Sequence, residues 1–361
     1  MFKKAIIYPT LVFLAWRLII FLFQIFIQPH YLITADSLTL EQRLFTSWTI
    51  YWDAGHYLTI ATSGYQFPQQ AFFPLWPLLI KLATLMGFSS QWASYLLTLI
   101  LSFCNFVLLY LLAVKLVGKT KALWAIIIFS CYPATVFLHA GYSENLFLFF
   151  TLFSFFLLEN KRYWLSAIVG GLSTATRMVG IATSLSFWFI KIFFGKRLLM
   201  SFMGISGLLL YMVYLYFNYG DFWFFIKGQQ AWCEAAGRCQ FTFPLVPLLS
   251  YAHLMLIGWV KPSLSHLFID WISAVIFLAF LPMVWNSLPK HYFIYSLVTL
   301  IMPLLSGTTI SMTRMTLIVF PFFLVLPHFL KRKWLMFVVS LMLLLLELRF
   351  VALFTGRIWV A

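Results

Sequence analysis

The sequence predicts an all-α polytopic membrane protein, and three observations carry that prediction. Hydrophobic residues make up 63% of the 361-residue chain, charged residues 9% and aromatics 20%, with a mean hydropathy of +0.96. Soluble globular domains do not reach these values. The 24 Lys and Arg outnumber 9 Asp and Glu, for a formal net charge of +15, yet the bases stand in small clusters at the ends of apolar runs. Clusters placed this way are topology signals and do not read as a nucleic-acid surface. At about 20 residues per crossing, the chain holds about nine to eleven transmembrane or broken helices. Residues 1–361 read as a single integral membrane domain.

The amino-terminal stretch MFKKAIIYPTLVFLAWRLIIFLFQIF has a basic start, but its apolar run is long, carries Arg17 and lacks a small-residue cleavage site. It reads as a first span. Lys3 and Lys4 set the start in the cytoplasm, so Gln28 emerges on the opposite face. Residues 28–91 form a first extracytoplasmic loop with interfacial helices. Within it Phe72 to Phe88, with Pro74, Pro77 and Lys81, reads as an outer-surface or half-buried helix before the crossing at Trp92 to Val114.

Four basic clusters are assigned to the cytoplasm: Lys115, Lys119 and Lys121; Lys161 and Arg162; Lys191, Lys196 and Arg197; and Lys331, Arg332 and Lys333. The turn from His139 to Glu144 therefore lies on the outer side. Between Arg162 and Lys191 only 28 residues are available, too few for two full spans. Two short or broken helices are expected there, with Arg177 near their apex and the Gly170 and Gly171 pair permitting close approach. Beyond Arg197 an uncharged run crosses to Gly220, and a loop follows over Asp221 to Gln240. Phe241 to Val260, with Pro244 and Pro247, is left along the outer surface. Asp270 to Asn286 returns, Pro289 and Lys290 turn in the cytoplasm, and His291 to Leu305 goes out. Arg314 then starts the next inward helix, and Glu347 and Arg349 offer a pair within the last crossing.

Cys104 and Cys131 lie in apolar runs and read as packing residues, whereas Cys233 and Cys239 bracket a short polar loop. If that loop is extracytoplasmic, a structural disulfide is open to it. No cysteine and histidine spacing resembles a zinc site.

The candidate chemistry is concentrated in Ser47 to Pro77, SWTIYWDAGHYLTIATSGYQFPQQAFFPLWP. Asp53, His56 and Tyr57 stand at i, i+3 and i+4, so they share one face if Thr49 to Ala61 is helical. Charge counting also brings Asp53, Glu144, Arg177 and Arg314 to one side of the membrane. Ionisable residues at that depth are costly and are usually paired or functional. Two plain readings stand beside the functional one: Glu144 and Arg177 neutralise each other, and Arg314 snorkels from a helix end. There is no D-x-D, no G-x-x-x-x-G-K-[ST] and no G-x-G-x-x-G, so nucleotide-sugar and ATP sites lack their signs. A lipid-phosphate sugar donor fits better. A carboxylate would take the proton from an acceptor hydroxyl while arginines stabilise the departing phosphate.

The order W-D-A-G-H-Y-L at Trp52 to Leu58, G-Y at Gly64 and Tyr65, F-F-P-L-W-P at Phe72 to Pro77, G-Y-S-E-N at Gly141 to Asn145 and A-T-R-M-V-G at Ala175 to Gly180 resembles the PIG-V-type mannosyltransferases. S-M-T-R at Ser311 to Arg314, before an apolar F-P segment, resembles a late motif of that family. The resemblance implies a GT-C-like helical bundle, a polyprenyl-phosphate sugar as donor, usually mannose, and an essential Asp in the first outer loop. Asp53 is the matching position and would be the general base of an inverting transfer. Trp52, His56, Tyr57, Tyr142, Glu144, Arg177 and Arg314 become candidate substrate-binding residues. Neither a metal nor a cofactor is implied, and the acceptor would be a glycolipid or glycan. In eukaryotes the family adds the second mannose of glycosylphosphatidylinositol anchors, and it has bacterial relatives. The expected setting is a bacterial inner membrane, or the endoplasmic reticulum membrane in a eukaryote, with the site extracytoplasmic. Two other classes compete. A lipid or solute transporter should have pseudo-symmetric halves, which the sequence does not display. A non-catalytic subunit of a glycosylation complex would tolerate Asp53→Asn.

Overall fold

The computed structural model describes residues 2–28, 39–235, 241–258 and 265–360. Among them there is no strand, and four helices are long and apolar enough to cross a membrane: Ile6–Ile27, Ser90–Val117, His266–Ser287 and Lys333–Thr355. A fifth crossing is available if Phe194–Gly204 and Ser206–Tyr219, bent by 43°, act as one. The protein is an all-α polytopic membrane protein, and its remaining helices are short or broken.

In chain order, α1 (Phe2–Leu22) runs on into a wider turn over Phe23–Ile27, and α2 (Ser47–Ile50), α3 (Asp53–Ser63) and α4 (Leu75–Thr84) fill the first loop. Next come α5 (Ser90–Val117), α6 (Lys119–Ser130), α7 (Glu144–Glu159), α8 (Tyr163–Thr174), α9 (Ile181–Ser186), α10 (Phe194–Gly204) and α11 (Ser206–Tyr219). The second half holds α12 (Phe224–Ala235), α13 (Leu245–Leu256), α14 (His266–Ser287), α15 (Lys290–Leu304), α16 (Met312–Leu317), α17 (Phe320–Leu330) and α18 (Lys333–Thr355). The start of α5 is capped by Ser89, whose hydroxyl accepts from the Trp92 N–H, satisfying one orphan donor of the first turn. Gly118, at φ +83°, ends α5 and opens α6, a backbone turn that side chains with a Cβ resist.

The basic clusters meet at one end of the bundle. Lys115 donates to Asn160 Oδ1 at 3.0 Å, Lys121 to His328 Nδ1 at 2.6 Å, and Tyr292 to Glu159 Oε1 at 3.1 Å, while Lys196 lies over the Tyr163 ring. Glu144 opens α7 at the other end, roughly 24 Å away at 1.5 Å per residue. The first loop, the 139–144 turn and the start of α16 gather at that far end: Gly141 N–H donates to Trp48 O and Leu75 N–H to Ala175 O.

The short elements fall where the sequence places them. Only α8 and α9, with single-turn segments around them, fill the space between Arg162 and Lys191, and Arg177 sits between the two helices in extended backbone. Gly171 lies where a Cβ would come within 2.5 Å of Ser206 Oγ and 2.7 Å of Met203 O, and a Cβ at Gly207 would meet Gly171 O at 2.2 Å. The two glycines thus let α8 and α11 cross backbone to backbone. One expectation is corrected. A continuous helix over Thr49 to Ala61 is broken at Tyr51 and Trp52, and α3 starts at Asp53 itself. Cys239 and the Cys233 side chain lie outside the described residues, so the disulfide reading falls there too.

Overpacking a tight crossing costs about 1–3 kcal/mol. Gly207→Leu is therefore expected to lower the melting temperature of the detergent-purified protein by several degrees. Leu210→Ala, at a side chain 70% exposed on the same helix, should leave it unchanged in the same thermal scan.

Candidate active site

The site begins with a backbone device. Trp52 adopts φ 57°, ψ −131°, a region that costs a residue with a Cβ about 1–3 kcal/mol. Gly55 makes the corner possible, because a Cβ there would sit 2.5 Å from Ile50 O. The chain therefore folds back sharply between α2 and α3, and Asp53 enters as the first residue of an eleven-residue helix. A carboxylate in the first turn is favoured by the helix dipole.

Asp53 faces Arg314. Arg314 Nη1 lies 2.7 Å from Asp53 Oδ2, and its Nε donates to Glu144 Oε1. Arg177 Nη1 reaches the same Glu144 oxygen at 2.5 Å and the Ser143 hydroxyl at 3.2 Å. Two carboxylates and two guanidiniums thus form one chain, Asp53–Arg314–Glu144–Arg177, with formally balanced charge. Its members are not equally covered: the side chains of Glu144 and Arg314 are 1% and 6% exposed, those of Arg177 and Asp53 16% and 20%. Asp53 and Arg177 are the groups a ligand can reach.

Burial works against the Arg314 charge, but Asp53 and then Glu144 outweigh it and hold the guanidinium well above its ordinary pKa. The Tyr142 ring lies under that guanidinium at 4.5 Å, within cation–π range. Tyr57 donates to the Ser143 hydroxyl at 2.7 Å. Burial, ahead of any neighbouring charge, pushes the Tyr57 phenol up, so it stays a neutral donor. Ser143 is therefore held from both sides, by Tyr57 and by Arg177.

Six of the sequence-predicted residues, Asp53, Tyr57, Tyr142, Glu144, Arg177 and Arg314, come together here. His56 and Trp52 do not join the charge network. The His56 ring stacks on Phe72 at 5.2 Å and meets the Trp232 ring edge-on at 4.9 Å, forming an aromatic wall beside α3. Trp52, partly exposed, packs edge-on against Trp359. The shared face of Asp53, His56 and Tyr57 splits because α3 is wedged between two neighbours, the 143–144 turn on one flank and the Phe72 loop on the other.

Sequence reasoning missed Asp270. Buried in α14, its carboxylate accepts from Ser311 N–H and Thr313 N–H, both at 2.8 Å. Ser311 is left-handed, at φ 64°, and the two bonds fix the first turn of α16, which carries Arg314. The signal was present, since a lone acid inside an apolar span demands partners. Its partners are backbone amides, however, and no motif advertises them. Among the described residues no group of three or more His, Cys, Asp or Glu could hold a metal.

A family model described as Mannosyltransferase (PIG-V) matches residues 29–261, a segment that contains every candidate above except Arg314 and Asp270. The GPI alpha-1,6-mannosyltransferase 2 of Cricetulus griseus is 38% identical over 146 residues, which cover 37% of this chain and 29% of that protein. The GPI mannosyltransferase 2 of Schizosaccharomyces pombe is 32% identical over 230 residues, 57% of this chain and 46% of that protein. The GPI alpha-1,6-mannosyltransferase 2 of Homo sapiens is 34% identical over 147 residues, again 37% of this chain and 29% of that protein. The chain thus matches less than half the length of each of these relatives. No solved structure matches it. With the family model spanning more than half of its residues, the chain belongs to the PIG-V mannosyltransferase family.

Proposed function

We propose that this protein is a membrane mannosyltransferase that moves the sugar from a polyprenyl-phosphate donor to a hydroxyl of a glycolipid or glycan acceptor, with Asp53 as general base. The observation that carries this reading is the placement of Asp53: it is the most exposed acid of a charge chain whose other members hold it from the buried side. Family membership and the names of the relatives support mannose as the sugar.

In the proposed step the acceptor O–H gives its proton to the Asp53 carboxylate as its oxygen bonds to the anomeric carbon. The bond from that carbon to the phosphate oxygen breaks, and the electron pair leaves with the lipid phosphate. Arg177, the reachable guanidinium, stabilises the charge on the leaving group, and the buried Arg314 adds its field from behind Asp53, as fixed positive groups do where charge develops. Phosphate is a good leaving group, so no metal is needed for departure. The His56, Phe72 and Trp232 rings give the apolar face of a sugar a surface to lie on. An extracytoplasmic site is supported by the basic clusters, read as cytoplasmic, lying at the opposite end of α7. In a bacterial inner membrane that side is periplasmic.

Two outcomes are expected with purified protein, radiolabelled polyprenyl-phosphate-mannose and a lipid extract as acceptor. Asp53→Asn keeps the size of the side chain but cannot act as base, so transfer should fall by at least about 10²-fold with the protein still folded; wild-type transfer by this variant would remove Asp53 from the role. Asp270→Ala frees two backbone amides and lets the turn carrying Arg314 shift. Its kcat should drop by about 10²-fold, since small misplacements of a catalytic group cost that much, and Asp270→Asn, which retains one acceptor oxygen, should fall between.

A further inference from the structure

We propose that a cavity bounded by α1, α2 and α5 binds the phosphate head of a lipid, at a site separate from Asp53 and independent of the transfer reaction. The cavity measures about 360 Å³, within the range of small-ligand sites. Phe13, Leu14, Leu18, Phe21 and Leu99 form its apolar wall, and Arg17 and His139 its polar end. Leu14 and Leu18 are each 55% exposed, so the rim lies on the face of α1 turned toward lipid.

The polar end has the wrong inventory for a self-contained core. An Arg17 guanidinium nitrogen donates to His139 Nδ1, and another reaches Ser102 Oγ at 3.5 Å. If Nδ1 accepts, the neutral imidazole carries its proton on Nε2. Burial, and then the Arg17 charge, keep His139 well below the ordinary histidine range, so the imidazole is neutral and the arginine supplies the positive charge. His139 is 4% exposed, and both its Nε2 and Arg17 Nε are buried without a partner. Both unpartnered atoms are N–H donors. No carboxylate pairs with Arg17 among the described residues.

This is the opposite of the Asp53 network, where every guanidinium faces an acid. Two free donors and one uncompensated charge at the end of an apolar cavity ask for an anion that brings its own hydrocarbon. A lipid phosphate brings acceptor oxygens and the missing negative charge to this end, while the lipid chain covers Leu14 and Leu18. Trp16 and Trp48, whose rings lie 4.2 Å and 5.2 Å from that of His139, hold the imidazole in place. Two sources share this chemistry, a phospholipid with an exposed phosphate and an isoprenoid phosphate.

Native mass spectrometry of the detergent-purified full-length protein tests the site with three probes: dioleoyl phosphatidic acid, undecaprenyl phosphate and dioleoyl phosphatidylcholine. Wild type should bind at least one more phosphatidic acid or undecaprenyl phosphate than Arg17→Gln, with phosphatidylcholine at least tenfold weaker. Leu99→Trp, which fills the cavity and leaves the charge in place, should lose the same lipid. It keeps the test decisive if Arg17→Gln fails to fold. A tenfold preference for undecaprenyl phosphate assigns the isoprenoid, and equal or stronger binding of phosphatidic acid assigns the phospholipid. Equal lipid occupancy in wild type and in the folded variants, or equal binding of phosphatidylcholine, overturns the site.

Discussion

The structure depends on one buried carboxylate. Glu144, 1% exposed at the start of α7, takes a hydrogen bond from Arg314 and another from Arg177 on the same oxygen. In a low-dielectric interior, neither arginine could be left without it, since an unpaired buried charge costs several kcal/mol. Three segments distant in the chain are therefore obliged to meet: the 139–144 turn, the extended residue between α8 and α9, and α16. Arg314 carries the constraint one step further, to Asp53. The position of the outermost acid is thus the end of a chain of compensations that begins deep in the bundle.

Backbone contacts refine what the charges require. Gly55 passes under Ile50 O, Trp52 accepts a strained conformation, and the Asp270 carboxylate fixes the amides of Ser311 and Thr313. Gly141 fits so closely against Ser94 Oγ that a Cβ would lie 2.3 Å from it, and its carbonyl accepts from Trp76 Nε1. Each device removes freedom from a loop that would otherwise let a long arginine wander. Preorganisation of this kind is what gives fixed charges catalytic value.

Two arginines in comparable surroundings show how differently a membrane protein can treat the same group. Arg314 is neutralised twice over and tied into the network. Arg17, inside the first span, has neutral partners only among the described residues. The cost of an intramembrane charge is met internally in the first case and left to the surroundings in the second.

Much of the fold was legible in the sequence. Length, hydropathy and the placement of lysines and arginines determined an all-α polytopic chain with Asp53, Glu144, Arg177 and Arg314 on one side, because the bilayer leaves few alternatives. Spacing alone showed that Arg162 to Lys191 could not hold two full crossings and that Arg177 would sit at their apex, because helix rise is fixed. The motifs around Asp53, Glu144 and Arg177 pointed to the family. What periodicity could not reveal was the break at Trp52, since the stretch from Thr49 to Ala61 is compatible with one helix and is interrupted only when Gly55 meets Ile50 O. Nor could it show that His56 turns away to Phe72 and Trp232, or that Asp270 secures Arg314 from 44 positions earlier. The sequence by itself determined which charged residues the membrane would force into company. Only the tertiary structure decided which of them touch, because a guanidinium chooses among carboxylates by distance and burial, and those belong to the packed helices and not to the order of residues.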